Sequence, residues 1–352
     1  MWGERRRRVL FYRWSAAAVL VAAVAAFGLL YPLPYFIMAP GSAIDLEGVV
    51  HVEDAFHDEV GSFVMTTVQA DQATPFTLLI SGFVPEREIV QANAVLPPYE
   101  DAEHYFARQR AVMEASQQVA LIVAFRKANL PIDVKEVGAL VTTTIPGTPA
   151  ARALRSGDVI TAVDGRPTPT AEALIQALGR KKIGDAVRVT VRRDDHVQVL
   201  SLTVDRLPQA PGVPERSGIG LLQPLTAREV HPSLTVTFDL DQIGGPSAGL
   251  MMTLAILNRL VPGDLTHGHR ISGTGTIDVD GRVGRVGGVE LKAIAAARAH
   301  AEYFLVPDDD PPPGKRSNYD EARQANARFR LGLNIVPVKT IDDALAFLSA
   351  LR

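Results

Sequence analysis

The sequence contains no cysteine. That absence excludes disulfides, thiolate nucleophiles and cysteine-ligated zinc or iron–sulfur sites, so covalent catalysis would have to rest on Ser, Thr, Lys or a carboxylate. A basic excess is missing too. Thirty-six Lys and Arg stand against 39 Asp and Glu, a net of −3, and nothing in that balance marks a nucleic-acid partner. No Gly-x-x-x-x-Gly-Lys-Ser/Thr occurs, which removes the P-loop nucleotide site. No His-Glu-x-x-His occurs either, and no Gly-Asn-Ser-Gly-Gly-like turn supports a chymotrypsin-type triad. His267 and His269 have no third ligand at useful spacing and read as solvated loop histidines. No metal and no cofactor is expected.

Long hydrophobic runs are also scarce, with one exception near the start. Residues 1–13 hold five arginines against Glu4, a net of +4, so the remaining chain carries −7 against the whole chain's −3. From Trp14 to Ile44 no side chain is charged, and Ala16–Leu30 is nearly all Ala, Val, Leu and Phe. At 1.5 Å per residue a helix of about 20 such residues crosses a bilayer. Trp14, Tyr31 and Tyr35 stand near its ends, where amphipathic rings favour the interface, and the preceding arginines place the N-terminus in the cytoplasm. Residues 1–44 are therefore expected to be a basic tail and a single-pass anchor in the cell membrane, with everything later extracytoplasmic. A cleaved signal peptide is the alternative, but the apolar core is long for one, and Pro-Leu-Pro-Tyr follows instead of a small-x-small exit.

The remainder, 47% apolar over a chain of 352 residues, suggests two or three domains. Within 45–130, Ser62–Gln69 and Phe76–Ile80 read as strands, and an apolar stripe from Glu100 to about Ala128 reads as a long helix ended by Pro131. Residues 131–207 form a distinct block of short strands and two helices, the second capped by Thr170. A Pro-rich linker follows at 208–217. Residues 218–352 then alternate strands with helices, the latter expected at Ser247–Arg259, Glu290–His300 and Ile341–Leu351. The class is α+β and multidomain, with an α/β region after the anchor.

The block 131–207 resembles a PDZ domain of the bacterial type, a β-sandwich-like fold with two helices. Pro146-Gly-Thr-Pro-Ala-Ala151, Leu154, Gly157-Asp-Val-Ile and Val163-Asp-Gly-Arg-Pro167 carry the resemblance. Such a fold offers a sheet edge to an extended peptide. The nearest candidate for a carboxylate-binding loop is Glu136-Val-Gly-Ala-Leu140, and a PDZ used only for packing stays open.

Gly244-Gly-Pro-Ser-Ala-Gly249 stands between a strand and an apolar helix. Its glycines permit a tight turn, and Ser247 meets a helix start, where free N–H groups favour an oxyanion. A serine that merely caps the helix would look the same. Lys292, the only lysine between Lys182 and Lys315, stands where another helix begins. The dipole there, and burial, would lower its pKa towards a neutral amine able to take a proton from serine. A surface lysine on an amphipathic helix is the plainer reading.

Together, Gly245-Pro-Ser-Ala-Gly249, Ile271-Ser-Gly-Thr-Gly-Thr276, Gly287-Gly-Val-Glu-Leu-Lys292 and Phe304-Leu-Val-Pro307 resemble the proteolytic domain of Lon-type proteases. The resemblance implies Ser247 as nucleophile, Lys292 as general base and Thr276 as a hydroxyl that orients the lysine, with Gly245 and Pro246 shaping the turn. Gly244 stands where ATP-dependent Lon enzymes usually carry Asp. Anchor, PDZ block and Lon-like block in this order resemble the membrane-tethered, ATP-independent Lon-like proteases of Gram-positive bacteria, actinobacterial ones included. That implies a serine endopeptidase acting on protein or peptide substrates presented by the PDZ block, with no nucleotide and no nucleic acid, and a second copy of the chain among the open partners. The rival is a non-catalytic, membrane-anchored PDZ scaffold that keeps the fold alone.

Overall fold

The computed structural model describes residues 2–56, 60–96, 100, 102–194, 196–208, 216–240 and 243–351. Most of the expected linker 208–217 lies outside them. The chain divides into two units, Met1–Ser42 with Thr67–Val95, and Ala43–Thr66 with Leu96–Arg352.

In the first unit one helix runs from Trp2 to Leu30, and its Arg13–Leu30 window is long and apolar enough to cross a membrane, with none of it buried. Strand Tyr35–Asp45 follows, and Tyr35–Met38 pairs antiparallel with Glu88–Gln91. Phe76–Ile80, expected as a strand, lies instead in the helix Pro75–Ser81. A short apolar run has no diagnostic period, and the capping chemistry decides it. Thr74 Oγ1 accepts from Thr77 N–H at 3.3 Å, and Thr77 Oγ1 accepts from Thr74 N–H at 2.8 Å. Pro75 supplies the preset φ of a first helical residue.

The second unit is built on parallel strands. Ser62–Met65, Arg270–Gly273, Tyr303–Pro307 and Asn334–Val338 lie side by side in that order, joined by helical crossovers. Helices Ala102–Lys127, Gly249–Leu260, Val289–Arg298, Asn318–Phe329 and Ile341–Ser349 accompany them. One core holds Leu46, Phe63 and Met65, then Val119–Leu121 and Val123–Phe125, then Leu250–Met252 and Leu254–Leu257. Residues on both sides of the 131–207 block thus share one interior. A residue-by-residue reading does not reveal this, because parallel partners are joined only through long crossovers.

The block itself has strands Ile132–Leu140, Val159–Val163, Ala186–Arg193 and His196–Thr203, with helices Pro149–Ala153 and Ala171–Gly179. Thr170 caps the second helix, accepting from Ala173 N–H at 3.0 Å. Ile160, Leu174, Val187, Val189 and Val191 fill a core of its own. Ile219 joins that core from further along the chain. Leu225–Pro232 completes the sheet by pairing antiparallel with Ile132–Leu140, and Leu221–Leu222 pairs with Thr143–Thr144. Within 218–232, which the sequence reading assigns to the start of the protease block, Leu221–Leu222 and Leu225–Pro232 therefore bond to the PDZ strands. Gly138 of the nearest carboxylate-loop candidate lies inside a paired strand and not in a loop.

Candidate active site

The turn Gly244–Ala248 is held from two sides. Gly245 adopts φ +90°, a conformation that glycine tolerates without strain. Its N–H donates to the Gln109 carbonyl at 2.9 Å, and Ser116 Oγ donates to the Pro246 carbonyl at 3.3 Å. Both partners come from the long helix Ala102–Lys127. Gly244 is pressed so closely on that helix that a Cβ would stand 2.8 Å from Gln109 Cβ. On the other side, the Ser247 carbonyl accepts from Gly275 N–H at 2.9 Å and from Thr274 Oγ1 at 3.0 Å.

The helix after the turn starts at Gly249 with Ala248 as its cap residue, so the Ser247 hydroxyl is not a helix cap. It lies instead against Lys292. That side chain is 4% exposed, and its Nζ donates to Ser247 Oγ and to the Thr66 carbonyl, both at 2.8 Å. A surface lysine is thereby ruled out. Burial lowers the amine from its ordinary 10.5 to about 8. The dipole argument from the sequence is not needed, since desolvation alone disfavours the ammonium.

Thr276 does not join this contact. It pairs with Gly284 across a two-stranded ribbon, where a Cβ on Gly284 would stand 2.4 Å from Thr276 Oγ1. Among the described residues, no hydrogen bond links it to Lys292. The hydroxyl that bonds to Ser247 belongs to Thr274, fully buried on the Ser247 carbonyl, and Lys292 meets Thr66 through the Thr66 backbone carbonyl. Thr66 Oγ1 is itself buried without a hydrogen-bond partner among the described residues. Thr66 lies more than 180 residues before the serine in the chain, which is why no local pattern pointed to it. His269 faces Glu302 at 2.9 Å.

A serine hydroxyl within hydrogen-bond reach of a buried amine of lowered pKa can act as an activated nucleophile. The sequence model of the Lon protease (S16) C-terminal proteolytic domain matches residues 242–350, and that of the PDZ domain matches residues 117–204. The chain carries both domains. The first spans the serine and the lysine just described. A Lon protease from Campylobacter concisus is 38% identical over 102 residues, covering 29% of this chain and 11% of that protein. A putative serine protease, HhoA, from Synechocystis is 42% identical over 81 residues, covering 22% of this chain and 20% of that protein. The chain thus spans about a tenth of the Lon protease and a fifth of HhoA. Among solved structures, the PDZ domain of an SdrC-like protein from Listeria monocytogenes is 26% identical. It covers 24% of this chain and 85% of that one, at a TM-score of 0.22.

Proposed function

We propose that the protein is a membrane-tethered serine endopeptidase that works without ATP, cleaving extracytoplasmic protein or peptide segments. The 2.8 Å contact between Ser247 Oγ and the buried Lys292 Nζ carries this reading. In the neutral amine the contact reverses, and the hydroxyl donates to the nitrogen lone pair. Ser247 attacks the scissile carbonyl while Lys292 takes its proton. Lys292 then returns that proton to the leaving amine, and water hydrolyses the acyl-enzyme. The Thr66 carbonyl stabilises the ammonium formed in between, because it accepts one of the new donors at 2.8 Å. The Ser247 backbone is fixed through its carbonyl by Gly275 and Thr274, which keeps Oγ aimed during the reaction.

Tethering rests on the apolar window Arg13–Leu30 behind the arginine-rich start. Substrate presentation falls to the PDZ domain, joined directly to the catalytic region by the long helix and by Leu225–Pro232. The absence of a P-loop in the sequence supports independence from nucleotide.

The test is labelling and cleavage. An active-site serine probe should modify the wild-type chain but neither Ser247→Ala nor Lys292→Ala, and both variants should lose peptide cleavage while keeping the fold. No labelling of the wild-type chain would leave the scaffold reading in its place, and unchanged labelling in Ser247→Ala would overturn Ser247 as the nucleophile.

A further inference from the structure

The helix Pro75–Ser81 in the first unit is turned the wrong way round for water. It hides Ser81, 3% exposed, and points its large apolar side chains outward. Phe76, Leu79, Ile80 and, just past its end, Phe83 are 48, 66, 38 and 82% exposed. Their spacing of three, four and seven places them on one face. The inward side is satisfied within itself: Ser81 Oγ donates to the Thr77 carbonyl at 2.7 Å and accepts from Arg87 Nη1 at 3.3 Å. From Gln72 to Pro85 the chain carries no charged residue. A contiguous exposed patch of this kind marks an interaction surface.

The hydrogen bonds around it say which partner it meets. Leu33 N–H donates to the Ala73 carbonyl at 2.7 Å, Ala73 N–H to the Tyr35 carbonyl at 2.8 Å, and Ala92 N–H to the Pro34 carbonyl at 3.0 Å. Residues 33–35 follow within five residues of the membrane-length helix, which also lies against Pro75–Ser81. If Arg13–Leu30 crosses a bilayer, the short helix is held at its exit, and a helix is only about 10 Å across. Its uncharged face is then within reach of the acyl–headgroup boundary.

We propose that Phe76, Leu79, Ile80 and Phe83 are embedded in the lipid surface on the side where the anchor emerges, as a helix lying in the interface plane. The proposal rests on the anchor reading above. The face adds a second membrane contact to the single span and fixes the height of the following strands over the lipid.

The missing cysteines make the test direct. Leu79→Cys, Phe83→Cys, Ala25→Cys in the anchor and Lys182→Cys in the PDZ domain each supply a unique site for an environment-sensitive fluorophore on the full chain. The variants are placed in phosphatidylcholine–phosphatidylglycerol vesicles containing spin-labelled lipid, with the quencher shallow or deep. Shallow quencher should dim the labels at 79 and 83 by about twofold or more and leave the label at 182 unchanged, while deep quencher dims the label at 25. Phe76→Cys replaces either face variant that fails to fold. A quenched label at 25 with labels at 79 and 83 no more affected than 182 overturns the proposal and leaves the anchor standing. An unquenched label at 25 removes the anchor and the proposal with it. Shielding at 79 and 83 that follows protein density and not the lipid quencher would assign the face to a second copy of the chain, which also overturns it.

Discussion

Shutting an ammonium away from water is unfavourable, and Lys292 shows how chemistry and stability oppose each other at one residue. Its amine is lowered to about 8 in the folded chain from an ordinary 10.5. Between those values the unfolded state binds a proton that the folded state does not. Stability is therefore greatest above the unfolded value and falls as pH drops from about 10.5 to 8. The full penalty, about 3 kcal/mol at most, applies at pH 7. Lys292→Met keeps the bulk of the side chain without the charge. It should raise unfolding free energy at pH 7 by about 1–3 kcal/mol, with the gain shrinking towards pH 10. Urea titrations at the two pH values check this, and equal shifts at both would sink it. The same titration sets the rate. If the base is the neutral amine, kcat/KM should climb about tenfold between pH 7 and 9 and then level off. A maximum in acid would point to a carboxylate instead. The contact between Ser247 and Lys292 is legible in the sequence through the two short glycine-rich motifs that carry them. Thr276, the hydroxyl that the resemblance implies, stands two residues after Thr274 in the same motif, and only the fold tells their surroundings apart. Thr274 turns onto the Ser247 carbonyl, while Thr276 packs against Gly284.

Among the elements, the helix Ala102–Lys127 has the largest role that its sequence did not disclose. Its apolar stripe predicted a core helix, which it is, with Val119–Phe125 in the interior. Its contribution to the Gly244–Ala248 turn runs through the Gln109 backbone carbonyl and the Ser116 hydroxyl, groups that periodicity does not register. One residue before Gln109 stands Arg108. Its guanidinium makes a two-pronged pair with Glu100 at 2.9 and 2.7 Å, and it donates to Gln223 Oε1 at 2.7 Å. Gln223 leads into Leu225–Pro232, so this contact ties the helix to the PDZ sheet. The side chains of Arg108 and Glu100 are 6% and 0% exposed. Arg108→Met would strand a carboxylate in a dry interior and should lower stability by about 3–5 kcal/mol. Adding Glu100→Leu should recover most of the loss, since no charge is then left unpaired. Chemical denaturation of the three variants decides it. A double variant as unstable as the single one would mean that Arg108 matters for packing and not for its partner's charge. Fold elements were read well where a cap or turn residue announced them, as at Thr170. They were misread where an uncharged run carried no period, as at Phe76–Ile80.

Across the whole molecule, the order of blocks along the sequence conceals how the second unit is built. The PDZ strands lie between Val119–Phe125 and Leu250–Leu257, yet those two stretches share one core. The chain leaves that core at Pro131 and returns at Ser233, whose N–H donates to the Pro131 carbonyl at 3.1 Å. An excursion that starts and ends within one hydrogen bond can be shortened without moving its ends. Residues 133–231 should therefore be replaceable by a turn of about two to four residues, which matches the antiparallel pairing of Pro232 with Ile132. The PDZ core is separate from the one around Leu250–Leu257, and from the latter the excision takes only the partly buried edge residue Val230. It does remove Gln223 from Arg108, and about 1 kcal/mol of stability should go with that hydrogen bond. If the PDZ domain presents substrate, the shortened chain should still react with a small serine probe and cleave a short peptide at near wild-type rate. Its cleavage of a long unfolded protein should fall by about tenfold or more, because binding at a tethered second site no longer raises the local concentration. The two substrates measured side by side on the shortened chain separate the possibilities. A matching loss for peptide and protein would show that the PDZ strands support the catalytic geometry itself, through Arg108 and the long helix, and substrate delivery would be abandoned.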